Sequence, residues 1–231
     1  TNIEFANVND FIVGETIRSL GVISAETRWG GQTRLEKALT KLQLIYKSAL
    51  QGGDTYSWLL AYLCHQVSQT YIQSLFRYKV HPLSEGLSNT GKNVLERYVR
   101  QNYTSRQSLA WASQIRGIER LIKNDSFVLC TPTASGKTAV AELAILQSLF
   151  SKNQPSGLLD RAPIVLYLVP SRALAFQLEA KLAKVVDKLS DNEAITVTGL
   201  YGGTDWGPTD AWLTKNDRTI LICTYEKAEA L

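Results

Sequence analysis

From Gly31 onward the apolar positions recur every three to four residues. Leu35, Leu39, Leu42, Tyr46 and Ala49 fall on one helical face before the Gly52-Gly53 break. Asp54 is placed to cap a second helix, in which Leu59, Leu63, Val67, Leu75 and Phe76 continue an apolar face until His81-Pro82 stops the segment. Pro82 to Gly91 is polar and reads as a loop, and Val94, Leu95, Tyr98 and Val99 predict a further short helix. Residues 1–100 are therefore expected to form an all-α N-terminal domain, with Trp58, Tyr62, Tyr71 and Tyr78 serving as core rather than as a base-stacking platform. After Thr104 the rhythm changes. Short β-branched and apolar runs at Ser126–Cys130, Ile164–Val169, Ile195–Leu200 and Thr219–Cys223 are interleaved with helical stretches near 137–150 and 172–189. That alternation predicts an α/β domain over residues 101–231 with a parallel sheet, whose ligands bind beyond the carboxyl ends of the strands.

Composition sets bounds on this picture. With 231 residues, 45% hydrophobic and 20% charged, the chain can bury a sizeable core in one large or two smaller domains. No run of about 18 apolar residues occurs, and the N-terminus lacks the pattern of a signal peptide, so no membrane partner is expected. The net charge of +4 is compatible with nucleic acid without requiring it. Cys64, Cys130 and Cys223 form an odd set without C-x-x-C spacing, which predicts a reducing setting, cytoplasmic or in a eukaryote nuclear, with neither disulfides nor zinc. His65 and His81 lack acidic or cysteine neighbours and read as ordinary polar residues. No Met occurs, which fits a piece of a longer chain or one whose modified residues are not written out. Short contiguous motifs therefore weigh more than long spacings.

The densest chemistry lies in FVLCTPTASGKTAVAELAIL, Phe127 to Leu146. A loop of Thr131, Pro132, Thr133, Ala134, Ser135 and Gly136 leaves an apolar run and enters a helix at Lys137, so backbone N–H groups can point inward at an anion. Gly136 lets the main chain approach phosphates, Lys137 can reach the β- and γ-phosphates, and the Thr138 hydroxyl can hold Mg²⁺. ATP with Mg²⁺ is the expected cofactor. Thr131 stands where the strict G-x-x-x-x-G-K-[ST] pattern has its first glycine, and the order strand, loop, helix supplies the missing specificity.

PTASGKT, then LVPSRALAFQ, then YGG, then ICTYEKAEAL resemble, in order, the successive motifs of superfamily 2 (DExH/DEAD-box type) helicases. The resemblance covers about Tyr103 to Leu231 and implies the first RecA-like ATP-binding domain of such an enzyme, nearest to the DExH branch. It implies nucleic acid, as single-stranded DNA or RNA, as partner. LWASQ resembles the aromatic-and-glutamine motif and gives Gln114 the adenine edge. Alternatively, Ser113 caps a helix in which Gln114 is merely the first residue, and Gln107 is a second candidate. Ser171 and Arg172 resemble the motif gripping the sugar-phosphate backbone, against a solvated arginine at a helix start. Gly202 and Gly203 resemble the family's glycine pair, against a plain turn. Thr224 resembles the phosphate-contacting threonine of the T-P-E-K motif, although Tyr225 replaces its proline.

No Asp-Glu-x-His or Asp-Glu-Ala-Asp occurs in the 231 residues. The resemblance thus implies a chain truncated before that motif, which binds nucleotide but hydrolyses it poorly alone, with a second RecA-like domain as partner in the parent protein. A non-motor P-loop protein, either a switch or a small-molecule kinase, is the competing class. A protein partner docking on the helical domain is a third expectation. DNA against RNA, unwinding polarity and pathway stay open.

Overall fold

A stripe of small and polar residues, more than of apolar ones, builds the first helices. The computed structural model describes residues 8–29, 31–105, 107–132, 135–152, 162–189, 195–201 and 217–229. Contacts divide the chain into two units, Thr1–Lys79 with Ser108–Ala110, and Val80–Gln107 with Trp111–Leu231. In the first unit α1 (Val8–Trp29), α2 (Gln32–Gln51) and α3 (Thr55–Ser74) pack on one another. The apolar periodicity shows no sign of α1. Its buried face is Ile12, Glu15, Thr16, Ser19, Ile23, Glu26 and Thr27, spaced like a helix but mostly polar. The hydroxyls of Thr16, Ser19 and Thr27 donate to the carbonyls of Ile12, Glu15 and Ser24 at 2.8, 2.8 and 3.0 Å, so they are buried without being left unpaired.

Helix α2 runs as its sequence predicts, with Leu35, Ala38, Leu42 and Ala49 buried and Gly53 at φ +75° in the turn that ends it. The Asp54 carboxylate caps α3 by accepting from the Ser57 N–H at 3.1 Å. The face of α3 corrects the expectation. Leu59, Leu63 and Val67 are exposed, and Ser57, Ala61, His65 and Ser68 are buried. Small side chains on that face let α3 approach α1 and α2 closely, and close approach decides the buried side more than hydrophobicity does. Trp58 stacks on Tyr62 with centroids 5.7 Å apart, and Trp58, Tyr62, Tyr71 and Tyr78 are all half-buried. Helix α4 (Phe76–Val80) follows.

In the second unit, His81–Gly86 is a 3₁₀ turn and not an open polar loop, because Leu83 and Leu87 anchor it in the core. Ser88 caps α5 (Asn89–Thr104), whose Val94, Leu95, Tyr98 and Val99 are buried as expected. Helix α5 packs on α7 (Lys137–Phe150) and α8 (Arg172–Leu189), which puts it with the α/β unit, so the break between units falls at 79/80 and not near residue 100. The Tyr98 hydroxyl donates to Glu142 at 2.7 Å and Lys181 reaches the same carboxylate at 3.2 Å, joining these three helices. Burial and the Glu142 charge push the Tyr98 phenol well above its ordinary range.

Strands β1 (Ile164–Val169), β2 (Ile195–Leu200) and β3 (Arg218–Thr224) form a parallel sheet in the order β1-β3-β2. Central β3 is buried from Thr219 to Thr224, which explains its continuous apolar run. The expected strand Ser126–Cys130 has no sheet partner among the described residues: Phe127 and Leu129 are half-buried, Val128 and Cys130 exposed. Alternating apolar residues give a segment the period of a strand but cannot supply the neighbour that makes it one. Among the described residues no helix is long and apolar enough to cross a membrane.

His65 gives a pH prediction. It is buried against Tyr46, with ring centroids 5.4 Å apart, its Nδ1 has no partner, and burial lowers its pKa from the ordinary 6.5. The unfolded chain therefore takes up the proton first, and stability present above about pH 6.5 falls as pH drops through and below that value. Thermal melts between pH 7.5 and 5.5 are expected to show this loss in the natural chain and a flatter profile in His65→Leu.

Candidate nucleotide site and strand-end edge

The loop before α7 is shaped by one backbone conformation. Gly136 sits at φ +80°, in the left-handed region, and immediately precedes the first helical residue, Lys137. A Cβ at Gly136 would lie 2.3 Å from the Gln114 side-chain nitrogen, so glycine is required by crowding as well as by φ. The crowding comes from α6 (Ala112–Ile122), whose start supports the loop. Ser113 Oγ donates to the Ser135 carbonyl at 2.7 Å, and Gln114 Nε2 donates to the Gly136 carbonyl at 3.4 Å. Within the loop the Thr131 and Ser135 hydroxyls share a hydrogen bond. Lys137 Nζ donates to the Thr131 carbonyl at 2.6 Å, its side chain folded back across six residues of loop.

These contacts test whether a nucleotide's phosphates fit. A left-handed glycine opening a 14-residue helix, with a lysine ammonium held over the same loop by a neutral carbonyl, brings a helix N-terminus and a cation to one place. Lys137 and Thr138 are exposed, Pro132 is exposed, and Thr131, Ser135 and Gly136 are half-buried, so the loop's polar groups are accessible to an anion. Thr133 and Ala134 lie outside the described residues. Among the described residues no cluster of three or more His, Cys, Asp or Glu could hold a metal. A divalent ion there would depend on phosphate oxygens and the Thr138 hydroxyl.

Gln114 is 6% exposed, and both ends of its amide are engaged within the protein. Its Oε1 accepts from the Trp111 N–H at 2.8 Å, capping α6, while Nε2 reaches Gly136. Gln107 is exposed. The motif reading brings Gln114 to the nucleotide; the structure places it beneath the loop.

The other candidates gather at the carboxyl ends of the strands. Val169 pairs in register with Thr224, and Leu200 with Cys223. The segment Ser171-Arg172 after β1, Thr224 at the end of β3 and Tyr201 after β2 therefore stand side by side along one edge. Arg172 is exposed. Ser171 Oγ accepts from the Leu174 N–H at 3.3 Å, which makes it the cap of α8 as well as a donor with its own hydrogen. Thr224 is 4% exposed and buried at the start of α9 (Tyr225–Ala228). Gly202 and Gly203 lie outside the described residues. One residue escapes the sequence reading: Glu179 on α8 accepts from the Gly199 N–H at 3.2 Å and from the Tyr201 hydroxyl, and so fixes the chain as it leaves β2. That second hydrogen bond, ahead of desolvation and the Glu179 charge, pushes the Tyr201 phenol up to about 12. No motif pattern marks Glu179, because it acts across 20 residues through packing.

A phosphate-type loop on a helix start and a parallel sheet with its candidate contacts at the carboxyl edge define the RecA-like α/β class. Residues 111–231, more than half of the chain, match the family model described as DEAD/DEAH box helicase, and the chain belongs to that family. It is 28% identical over 207 residues, 88% of its length, to the Hachiman protein HamB of Bacillus cereus. Over 128 residues, 50% of its length, it is 31% identical to the ATP-dependent DNA helicase Hel308 of Pyrococcus abyssi. Over 111 residues, 46% of its length, it is 37% identical to the DExH-box ATP-dependent RNA helicase DExH13 of Arabidopsis thaliana. The chain spans 17%, 15% and 5% of the lengths of these three proteins. The likeness to HamB is longer than the family-model region and so takes in part of the sequence before residue 111.

The placement of Gln114 yields a discriminating prediction. Gln114→Leu removes the acceptor that caps α6 at the Trp111 N–H, which is expected to cost about 1 kcal/mol in urea unfolding. Binding of ATP and of GTP, measured by titration, is expected to weaken by similar factors, because the loop is disturbed in both cases. Selective loss of ATP with GTP unchanged would instead assign Gln114 to the adenine edge.

Proposed function

We propose that this chain carries the nucleotide-binding half of an ATP-dependent helicase or translocase, taking Mg-ATP at Thr131–Thr138 and the backbone of a single strand along the carboxyl edge of the sheet. The strand register is the observation that supports this most: it aligns the ends of β1, β3 and β2, so that the residues at and just after those ends, with Arg172, Thr224 and Tyr201 among them, emerge at one level. Arg172 would supply charge, the first N–H groups of α8 would supply donors, and the glycine pair would allow close approach of sugar and phosphate. Thr224, being buried, would act through its backbone and the start of α9 more than through its hydroxyl.

At the nucleotide site Lys137 would exchange its carbonyl partner for phosphate oxygens, and Thr138 would hold Mg²⁺. Bound Mg-ATP supplies the phosphoanhydride whose hydrolysis drives opening and closing against a second RecA-like domain elsewhere in the longer protein. The relatives include one named a DNA helicase and one named an RNA helicase, and backbone contacts scarcely separate the two polymers unless a group reads the 2′-hydroxyl.

The test is ATP hydrolysis by the longer protein with single-stranded DNA, duplex DNA, single-stranded RNA or no polymer, with Lys137→Ala as control. Strong stimulation by one polymer, lost in Lys137→Ala, is expected and names the track. Hydrolysis indifferent to every polymer returns the chain to the class of P-loop switches or kinases.

A further inference from the structure

The helical unit contains a groove that the nucleotide site and strand-end edge leave unused. It lies between α1 and α2, encloses about 280 Å³, and its lining includes Arg18, Ser19, Val22, Arg34, Lys37 and Lys41. Arg34, Lys37 and Lys41 stand at i, i+3 and i+7 on α2 and so share one helix face, while Arg18 approaches from α1. Like charges three and four residues apart repel, so this row works against the helix that carries it.

Two carboxylates brace the groove without neutralising it. Glu15, with its side chain 8% exposed, pairs with both Lys41 and Arg18, and Glu26, 12% exposed, pairs with Arg34 at 2.6 Å. The hydrogen bond from Lys41, ahead of that from Arg18, keeps the Glu15 carboxyl below its ordinary range against the opposing effect of burial. Both acids thus face the groove's cations as direct ion-pair partners. Among the described residues, four cations less two carboxylates leave a charge of +2 in the groove. The cationic side chains remain 48%, 75% and 52% exposed at Arg18, Arg34 and Lys41, and Lys37 is exposed with no carboxylate partner among the described residues. Glu36, on the neighbouring strip of α2, accepts from Gln32 at 2.9 Å. Cations held from beneath by buried acids and open above are positioned before any ligand arrives.

We infer that this groove is a second nucleic-acid contact, which takes the phosphodiester backbone of a strand and leaves its bases unread. The row from Arg34 to Lys41 extends about 10 Å along the helix, a length over which one strand of a duplex presents about three phosphates. A line of cations suits an extended polyanion, whereas a compact phosphate calls for donors converging on one point. Among the described residues no aromatic ring lines the groove, so none of them can stack on a base. The inference rests on the reading that the chain engages nucleic acid, and it can fail separately from it.

The experiment is fluorescence anisotropy of the chain with a labelled 20-nucleotide oligothymidylate across a salt series, comparing the natural protein, Lys37→Glu, Arg34→Ala/Lys37→Ala and Arg172→Ala. Lys37 is exposed and has no carboxylate partner among the described residues, so its substitution spares the packing even if the double variant disturbs the Glu26 pair. Both groove variants are expected to bind about tenfold more weakly, with the slope of log affinity against log salt shallower by about 0.7 for each phosphate no longer neutralised. Affinity and slope unchanged in both, while Arg172→Ala still weakens binding, would overturn the groove alone. Failure of the natural chain to bind any strand would overturn this inference and the proposed function together. Displacement of the oligonucleotide from the natural chain, but not from Lys37→Glu, by tripolyphosphate at equal phosphate concentration would make the groove a site for compact phosphates and overturn the strand assignment.

Discussion

The site depends on a left-handed glycine wedged against a buried amide. Gly136 can turn the chain from loop into helix only because it has no side chain, and the space a side chain would take is filled by Gln114. The start of α6 thereby becomes a template for the loop, through Ser113 on the Ser135 carbonyl and Gln114 on the Gly136 carbonyl. The two helices are pressed together further along by a second glycine. A Cβ at Gly117 would fall 2.7 Å from Val140 on α7, so α6 lies closer to α7 than any other residue there would permit. Loop shape, helix start and helix packing are thus one coupled arrangement, and the lysine that reaches across it is positioned by all three.

The second constraint is parallel register. With β3 in the centre and its neighbours in step at Val169 with Thr224 and Leu200 with Cys223, three loops that are far apart in sequence emerge at the same level. Arg218 secures the opposite end of β3, donating to the Leu149 carbonyl at 3.0 Å and lying 4.7 Å from the centroid of the Phe150 ring. The strand is therefore tied at its start to the end of α7, the helix whose own start carries Lys137. The loop before α7 and the strand ends belong to one framework through that helix.

How much of this is legible in the sequence differs with the kind of signal. Strands β1, β2 and β3 and helices α7 and α8 are readable because burial on one or both sides imposes apolar runs of the right period. Helix α1 is not, because its buried face is made largely of Thr, Ser and Glu satisfied by backbone bonds and ion pairs, which a hydrophobic pattern cannot register. The face of α3 misleads for a related reason: Ser57, Ala61 and Ser68 are inside because they are small, while Leu59, Leu63 and Val67 stay in solvent. Cys130 and Cys223 both close apolar runs in the sequence, yet Cys130 is exposed and Cys223 buried, because only the second lies in a paired strand. Within the site, Gly136, Lys137 and Thr138 are readable from contiguous residues. The supporting roles of Ser113, Gln114 and Glu179 are not, since each acts across 20 or more residues of intervening chain.

Calorimetric titration of the chain with Mg²⁺ and a non-hydrolysable ATP analogue, in parallel with Lys137→Ala, tests the central claim most directly. The account predicts one site per chain in the natural protein and a loss of about 1.5–3 kcal/mol, roughly ten- to a hundredfold in affinity, when the charged donor is removed. Equal affinity in the two proteins would mean that the loop shaped by Gly136 and Gln114 is not where the nucleotide is held.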